Sequence, residues 1–130
     1  MNYSIRLAHL FITMACPNEC EHCLFACSVN DSWMNNDLIE KTIKEFKYNN
    51  VINVRIMGGE PFFNLEKFFF AFNTLQKYYK RSNIMTITSG FFAKNQKITD
   101  DIIKRLQGIK LIELSVDRFH QKKSSDEKYN

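Results

Sequence analysis

The stretch "VINVRIMGGEP", Val51–Pro61, joins a short run of mostly β-branched and apolar residues to a turn of two glycines, a glutamate and a proline. Such a run predicts a strand, and the Gly-Gly-Glu-Pro sequence ends it. On either side of it, similar runs occur at Leu7–Met14, at "IMTIT" (84–88) and at "LIELSVD" (111–117). The chain therefore contains four predicted strands, and the apolar composition of the first favours a strand buried on both faces.

Three segments between these runs repeat apolar residues at helical spacing. The first, "NDLIEKTIKEF", has Asn36 or Asp37 as its N-cap and stops at Asn49-Asn50. The second extends from a cap at Asn64 to about Tyr79, and its apolar stripe consists of Leu65, Phe68, Phe69, Phe72, Leu75 and Tyr79. The third begins at Thr99, Asp100 and Asp101 and ends at Gly108. Strands that alternate with helices in this way predict an α/β fold with parallel strands and right-handed crossovers.

The length and the net charge of the chain limit the number of domains and the kinds of partner that we expect. A chain of 130 residues, 45% of them apolar, has room for one continuous core and predicts a single domain. The net charge of +4 is spread along the chain, so no basic stripe supports a nucleic-acid partner.

The apolar stretch Leu7–Ala15 does not resemble a membrane or export segment. Arg6 and His9 break it up, and it is about half as long as a membrane span, so it predicts neither a transmembrane helix nor a signal peptide. We therefore expect a reducing compartment, the cytoplasm. Clustered cysteines there more often hold metal or carry out redox chemistry than form disulfides.

Polar residues follow each of the four predicted strands, where the loops of a parallel sheet converge on one edge. They are Cys16, Cys20 and Cys23 after the first strand, Gly58, Gly59 and Glu60 after the second, Thr88 and Ser89 after the third, and Ser115 and Asp117 at the end of the fourth. We expect the functional site at this edge.

The cysteines in "CPNECEHC" have the spacing Cys16-x3-Cys20-x2-Cys23, which lets one loop present three thiolates to one iron–sulfur cluster. A four-iron cluster then needs either a fourth ligand from elsewhere or an iron left open to a small molecule. Cys27 follows four residues later, either as that fourth ligand, in a 4Fe-4S or zinc site, or as a small buried apolar residue.

With "MGGEP" one strand later, the chain resembles the radical S-adenosylmethionine superfamily from Leu7 to about His120. The resemblance implies the N-terminal part of a (β/α)6 core: a partial (β/α) barrel of about four parallel strands with three crossover helices. It places the core domain at residues 1–120. The polar composition of residues 121–130 separately predicts a frayed, flexible tail.

The resemblance also implies a set of ligands. Cys16, Cys20 and Cys23 would hold a 4Fe-4S cluster whose open iron is chelated by S-adenosylmethionine. Glu60 would accept a hydrogen bond from the ligand's ammonium, and Gly58 and Gly59 would permit close backbone approach. The other implied contacts are His22 near the adenine, and Ser89, Ser115 and Asp117 near the carboxylate or ribose.

The implied activity is reductive cleavage of S-adenosylmethionine to methionine and a 5′-deoxyadenosyl radical, which abstracts hydrogen from a substrate. The electron would come from a donor such as flavodoxin or ferredoxin.

Each of these residues has a simpler alternative role. Glu60 would then be a solvated turn carboxylate, Ser89 a turn residue, Asp117 a cap and His22 a loop residue. His120, in "DRFH", either reaches substrate or lies on the surface.

The sequence departs from the superfamily by supplying three strand–helix units and a fourth strand instead of six units. We therefore expect a truncated enzyme, a half-barrel completed by another chain or by a second copy, or a member that keeps the cluster without turnover. Two functions of other classes stay open: an electron-transfer or metal-binding module, and an interaction subunit whose exposed edge docks a partner.

Overall fold

The structure, a computed structural model, describes residues 2–16 and 32–115 of the chain. Within these ranges one parallel sheet has the order β1-β2-β3-β4, and a helix lies between each pair of consecutive strands. The strands are β1 (Ile5–Thr13), β2 (Val51–Gly58), β3 (Ile84–Thr88) and β4 (Leu111–Leu114). The helices are α1 (Asn36–Tyr48), α2 (Leu65–Leu75) and α3 (Gln96–Arg105). The predicted α/β fold is confirmed, and the four parallel strands are consistent with a partial β/α barrel.

An asparagine side chain caps the start of each of these helices. Asn35 Oδ1 accepts a hydrogen bond from the Leu38 N–H at 2.8 Å, Asn64 Oδ1 one from Lys67 at 3.1 Å, and Asn95 Oδ1 one from Ile98 at 2.9 Å. The predicted cap at Asn64 is confirmed.

The other two predicted helix starts were wrong. Helix α1 is capped one residue earlier than expected, by Asn35, because its side chain reaches the third amide of the helix. Helix α3 begins at Gln96, because Asn95 caps it and the Thr99 hydroxyl donates to the Asn95 carbonyl at 2.7 Å from inside the helix.

Two element ends also differ from the prediction. Helix α2 ends at Leu75, before the expected Tyr79, because Lys77 and Tyr78 bond back three residues and tighten the chain into turns. Strand β4 ends at Leu114, and residues 116 and 117 of its predicted span lie outside the described residues. The expected stops at Asn50 and Gly108 are confirmed by their positive φ angles of 60° and 89°.

The helices pack on one face of the sheet only. Leu10, Ile12, Val54, Ile56 and Ile84 share one core with Leu106, just after α3, and with apolar residues of all three helices, Ile39, Ile43, Phe68, Phe72 and Ile102 among them. The opposite face, which we call the open face, carries His9, Arg55, Met85 and Leu111 in register, with Phe11, Met57, Ile87 and Glu113 one row nearer the carboxyl edge. No helix in the described ranges packs on the open face.

The expectation that the first strand is buried on both faces was therefore wrong. Ile5 and His9 are exposed, because β1 pairs only with β2 within the described residues and the helices cover one side. Leu65, at the start of the stripe on α2, is also exposed. No helix of the described ranges is both long enough and apolar enough to cross a membrane.

Candidate functional site at the carboxyl edge

The residues that flank positions 17–31 are held side by side at the end of β1. The Met34 N–H donates to the Ile12 carbonyl at 2.8 Å, and Thr13 forms an isolated antiparallel bridge with Trp33. The Thr13 hydroxyl donates to the Ser32 carbonyl at 2.8 Å and accepts from the Ala15 N–H at 2.8 Å. Thr13 thus fixes both approaches to the cysteine segment, and Cys16 is buried beside it.

The Gly-Gly-Glu turn is bonded to the same backbone. The Gly59 N–H donates to the Thr13 carbonyl at 2.9 Å, and the Glu60 N–H donates to the Ala15 carbonyl at 2.8 Å. The pairing of β2 with β1 therefore continues past the end of both strands, up to the residue that precedes Cys16.

Both glycines are needed for this close approach. A Cβ atom on Gly58 would overlap the Thr13 carbonyl oxygen, and one on Gly59 would overlap the Ala15 carbonyl oxygen and lie 2.7 Å from the Met14 oxygen. The backbone of this same chain, at Thr13, Met14 and Ala15, therefore excludes a side chain at both glycine positions. Close approach of a ligand to these glycines stays a prediction.

Glu60 is not a solvated turn residue, because only 1% of it is exposed. Its carboxylate faces four donors. Oε2 accepts from the Phe62 N–H at 2.9 Å, and Oε1 accepts from the Ser89 N–H at 2.8 Å and the Ser89 hydroxyl at 3.0 Å. The Thr88 hydroxyl lies 2.8 Å from both oxygens, and because its oxygen accepts from the Gly90 N–H, its proton is directed to Glu60.

Burial raises the pKa of the Glu60 carboxyl above its ordinary value, because the charged form loses its hydration. The hydrogen bonds from Ser89, Phe62 and Thr88 act in the opposite direction and offset part of this effect. Glu60 thereby links the end of β2 to the end of β3 through hydrogen bonds whose strength depends on the charge of its carboxyl group.

The structure brings five predicted site residues together: Cys16, Gly58, Gly59, Glu60 and Ser89. Ser115 lies one strand further along the same edge, half-buried, and its N–H donates to the Thr88 carbonyl at 2.8 Å. Predictions for Cys20, His22, Cys23, Cys27, Asp117 and His120 fall outside the described residues. Within the described ranges, no three His, Cys, Asp or Glu side chains converge on a possible metal position.

The sequence did not identify Thr13 as part of this site. Its only signal was its position, a hydroxyl residue at the end of a strand just before the cysteines. The sequence places Thr88 at this edge without assigning it a role, and in the structure its hydroxyl is the donor that reaches both Glu60 oxygens.

A family model described as a 4Fe-4S single cluster domain matches residues 5–130. The match supports a 4Fe-4S cluster, as the cysteine spacing predicted. No curated protein matches the chain.

Proposed function

Since the chain belongs to the 4Fe-4S single cluster domain family, we propose that it is a radical S-adenosylmethionine protein. In this proposal Cys16, Cys20 and Cys23 hold the cluster, and S-adenosylmethionine occupies the iron that no cysteine binds. The thiolate donor set suits an iron–sulfur cluster, and thiolates stay available in a reducing compartment, which we propose is the cytoplasm.

The observation that carries the proposal is the hydrogen bond from the Glu60 N–H to the Ala15 carbonyl, 2.8 Å long. It links the Gly-Gly-Glu turn to the residue immediately before the first cysteine. A ligand on the open iron would therefore lie near a buried carboxylate, which is a suitable partner for an ammonium group. An electron-transfer module has no need of this carboxylate.

A carboxylate has about four lone-pair sites, and four protein donors already face Glu60. An ammonium therefore needs one donor to leave. The Ser89 hydroxyl is the weakest held, at 3.0 Å, and it rotates freely about its Cβ–Oγ bond, whereas the two backbone N–H groups are fixed. We infer that Ser89 releases Oε1 to the ligand's ammonium and turns its hydroxyl to the ligand's carboxylate.

The remaining ligand contacts rest on the sequence resemblance. Ser115 lies at the same edge and is assigned to the carboxylate or ribose together with Asp117, and His22 is assigned to the adenine. Gly58 and Gly59 are assigned to close backbone contact with the ligand.

When bound and reduced, the cluster and S-adenosylmethionine would supply a 5′-deoxyadenosyl radical that abstracts hydrogen from a substrate. This chain contributes the position of the thiolates, the orientation of the ligand's amino group through Glu60, and exclusion of water from that carboxylate. The proposed partners are an electron donor such as flavodoxin or ferredoxin, and a second chain or second copy that covers the exposed part of the sheet.

Replacing the cysteines one at a time tests the open-iron arrangement. Cys16→Ala, Cys20→Ala and Cys23→Ala should each abolish the brown cluster absorbance after anaerobic reconstitution, whereas Cys27→Ala should keep it. Loss of the cluster in Cys27→Ala would instead support a four-cysteine electron-transfer module. A colourless wild-type protein with one bound zinc would contradict both.

A further inference from the structure

A cavity of about 530 Å³ opens between the loops at the carboxyl edge of the sheet. Five aromatic side chains line it: Trp33, Phe62, Phe63, Phe91 and Phe92. They follow β1, β2 and β3 in the chain, so the loops that hold Glu60 also build the cavity. Phe62 and Phe92 belong to the core and Trp33 packs against it, so the cavity lies on the side of the sheet that the helices cover, away from the open face.

Ring contacts between two pairs of phenylalanines fix the shape of the cavity. The ring centres of Phe62 and Phe92 are 4.8 Å apart, and those of Phe63 and Phe91 are 5.4 Å apart, edge to face. Phe62 and Phe92 are buried, whereas Phe63 and Phe91 are half-buried and keep accessible ring surface. The cavity is therefore preformed, and part of its aromatic lining is within reach of a ligand.

Lys94 is the one charged residue that lines the cavity in the part of the chain that the structure describes. It is exposed, its Nζ lies 4.6 Å from the centre of the Phe91 ring, and it forms no ion pair with any described residue. The Lys94 N–H donates to the Phe92 carbonyl at 2.9 Å, which holds the lysine beside these rings. An anionic group is therefore favoured at this end of the cavity, and a cation is repelled.

Asn64 adds a second hydrogen-bond donor to the lining. Its Oδ1 is occupied by the Lys67 N–H at the start of α2, so its amide NH2 group is the part of the side chain left to bind a ligand. Lys94 and Asn64 together offer donors only, which suits the oxygens of a carboxylate.

The size of the cavity favours a small molecule over a protein partner. Cavities of about 300 to 1,000 Å³ with mostly apolar walls and a few polar groups are typical of small-molecule sites. A protein interface buries about 800 Å² on each partner, and Leu65 is the only exposed large apolar residue of the described ranges that lines this cavity. The surface around it is therefore too polar to extend the cavity into an apolar interface.

We propose that this cavity binds a small carboxylic acid with an aromatic or other apolar body. The body lies against the phenylalanine rings, and the carboxylate binds Lys94, with Asn64 as a second donor. The inference goes beyond the proposed function, because none of the residues that line the cavity is assigned to the cluster or to S-adenosylmethionine.

The photoreactive acid 4-benzoylbenzoate is a suitable probe, because it has two rings, a carboxylate and a ketone that inserts into nearby C–H bonds on irradiation. Calorimetric titration of the cluster-loaded protein under anaerobic conditions should show one site per chain, with a dissociation constant on the order of 0.1 to 1 mM. The neutral 4-benzoylbenzamide should bind about threefold more weakly, since it loses the contact with an exposed lysine. Irradiation followed by peptide mapping should place the label on lining residues such as Leu65 and Ile98.

Lys94→Gln removes the charge and should abolish the preference for the acid over the amide. Lys97→Gln is the matched control, because Lys97 is an exposed lysine in the first turn of α3 that does not line the cavity, and it should keep the preference.

The proposal is overturned if the acid shows no saturable binding, if the amide binds as tightly as the acid, or if the label falls on residues of the open face. It is also overturned if the two lysine variants lose the preference equally. The wild-type comparison of acid and amide decides the matter even if a variant does not fold, and none of these results depends on binding or cleavage of S-adenosylmethionine.

Discussion

Glu60 lies in the turn just after β2 and Glu113 lies within β4, and their two carboxylates differ in burial and in hydrogen bonding. Glu60 is 1% exposed and is surrounded by four donors from the turn after β2, from β3 and from Ser89, which follows β3. Glu113 is about half exposed, and its 3.4 Å ion pair with Arg55 leaves Oε2 without a hydrogen bond among the described residues. Glu60 therefore holds strand ends together through hydrogen bonds, whereas Glu113 contributes a long and half-exposed ion pair.

The largest effect should come from the backbone that supports the Glu60 corner. Gly59→Ala places a methyl group against the Ala15 carbonyl, so we expect a loss of about 3 kcal/mol or more in the free energy of unfolding and failure to retain the cluster. Urea unfolding and iron content under anaerobic conditions measure both.

Gly90→Ala is the matched control for Gly59→Ala. Gly90 has a φ of 83° and open space around its Cβ position, so alanine there costs only about 1 to 2 kcal/mol of backbone strain. Equal losses of unfolding free energy in the two variants would show that the close contact of Gly59 with Ala15 adds nothing to the cost of the substitution.

The next largest effect on stability should come from replacing Glu60, and it should exceed the effect of replacing Glu113. Each oxygen of Glu60 accepts from a backbone N–H, so the NH2 group of glutamine faces a donor in either orientation. Glu60→Gln should therefore lower the free energy of unfolding by about 2 to 3 kcal/mol. Glu113→Gln should change it by no more than about 0.5 kcal/mol, because its pair is half exposed and long.

Urea unfolding of both glutamine variants alongside the wild type makes this comparison. If Glu113→Gln is as destabilising as Glu60→Gln, the Arg55 pair is a structural contact and the contrast between the two residues is wrong.

Replacing the buried threonines Thr13 and Thr86 should have a smaller effect, and the effect should differ between the two. Thr13→Val removes the acceptor of the Ala15 N–H and the donor to the Ser32 carbonyl, at a cost of about 1 to 2 kcal/mol, and should speed loss of the cluster. Thr86→Val removes a similar hydroxyl bond, 3.0 Å long, to the Ile56 carbonyl in the middle of the sheet. The rate of absorbance loss in air compares them, and equal rates would deny Thr13 a role in holding the cysteine segment.

The smallest effect is the pH dependence of the Glu60 contact. Because burial raises the Glu60 pKa in the folded state, its contribution to stability is complete below the unfolded value near 4.5 and falls as the pH rises through the folded pKa. The stability difference between wild type and Glu60→Gln should therefore shrink as the pH rises from 4.5. A difference that grows with pH would mean that the hydrogen bonds to Glu60 lower its pKa by more than burial raises it.

Much of the fold was predictable because its signals are local. The β-branched runs place β2 and β3 almost to the residue, and Asn64, Asn50 and Gly108 mark boundaries that the structure confirms. The start of α3 was missed because Asn95 and Thr99 are both acceptable caps, and only the geometry of the turn selects Asn95.

The site was less predictable because its contacts join residues far apart in sequence. "GGEP" marked Glu60, but nothing local indicates that its partners are Thr88 and Ser89, 28 and 29 residues later. The Arg55–Glu113 contact likewise depends on strand order, and so does the exposure of β1 at one side of the sheet.

The central claim is that S-adenosylmethionine binds the open iron beside Glu60. Its most direct test is the electron paramagnetic resonance spectrum of the anaerobically reconstituted, reduced protein with and without S-adenosylmethionine. We predict that the ligand changes the g values of the reduced 4Fe-4S cluster and that Glu60→Gln, examined as cluster-loaded protein, needs on the order of tenfold more ligand for the same change. A reduced cluster whose spectrum is identical with and without saturating S-adenosylmethionine would contradict the claim.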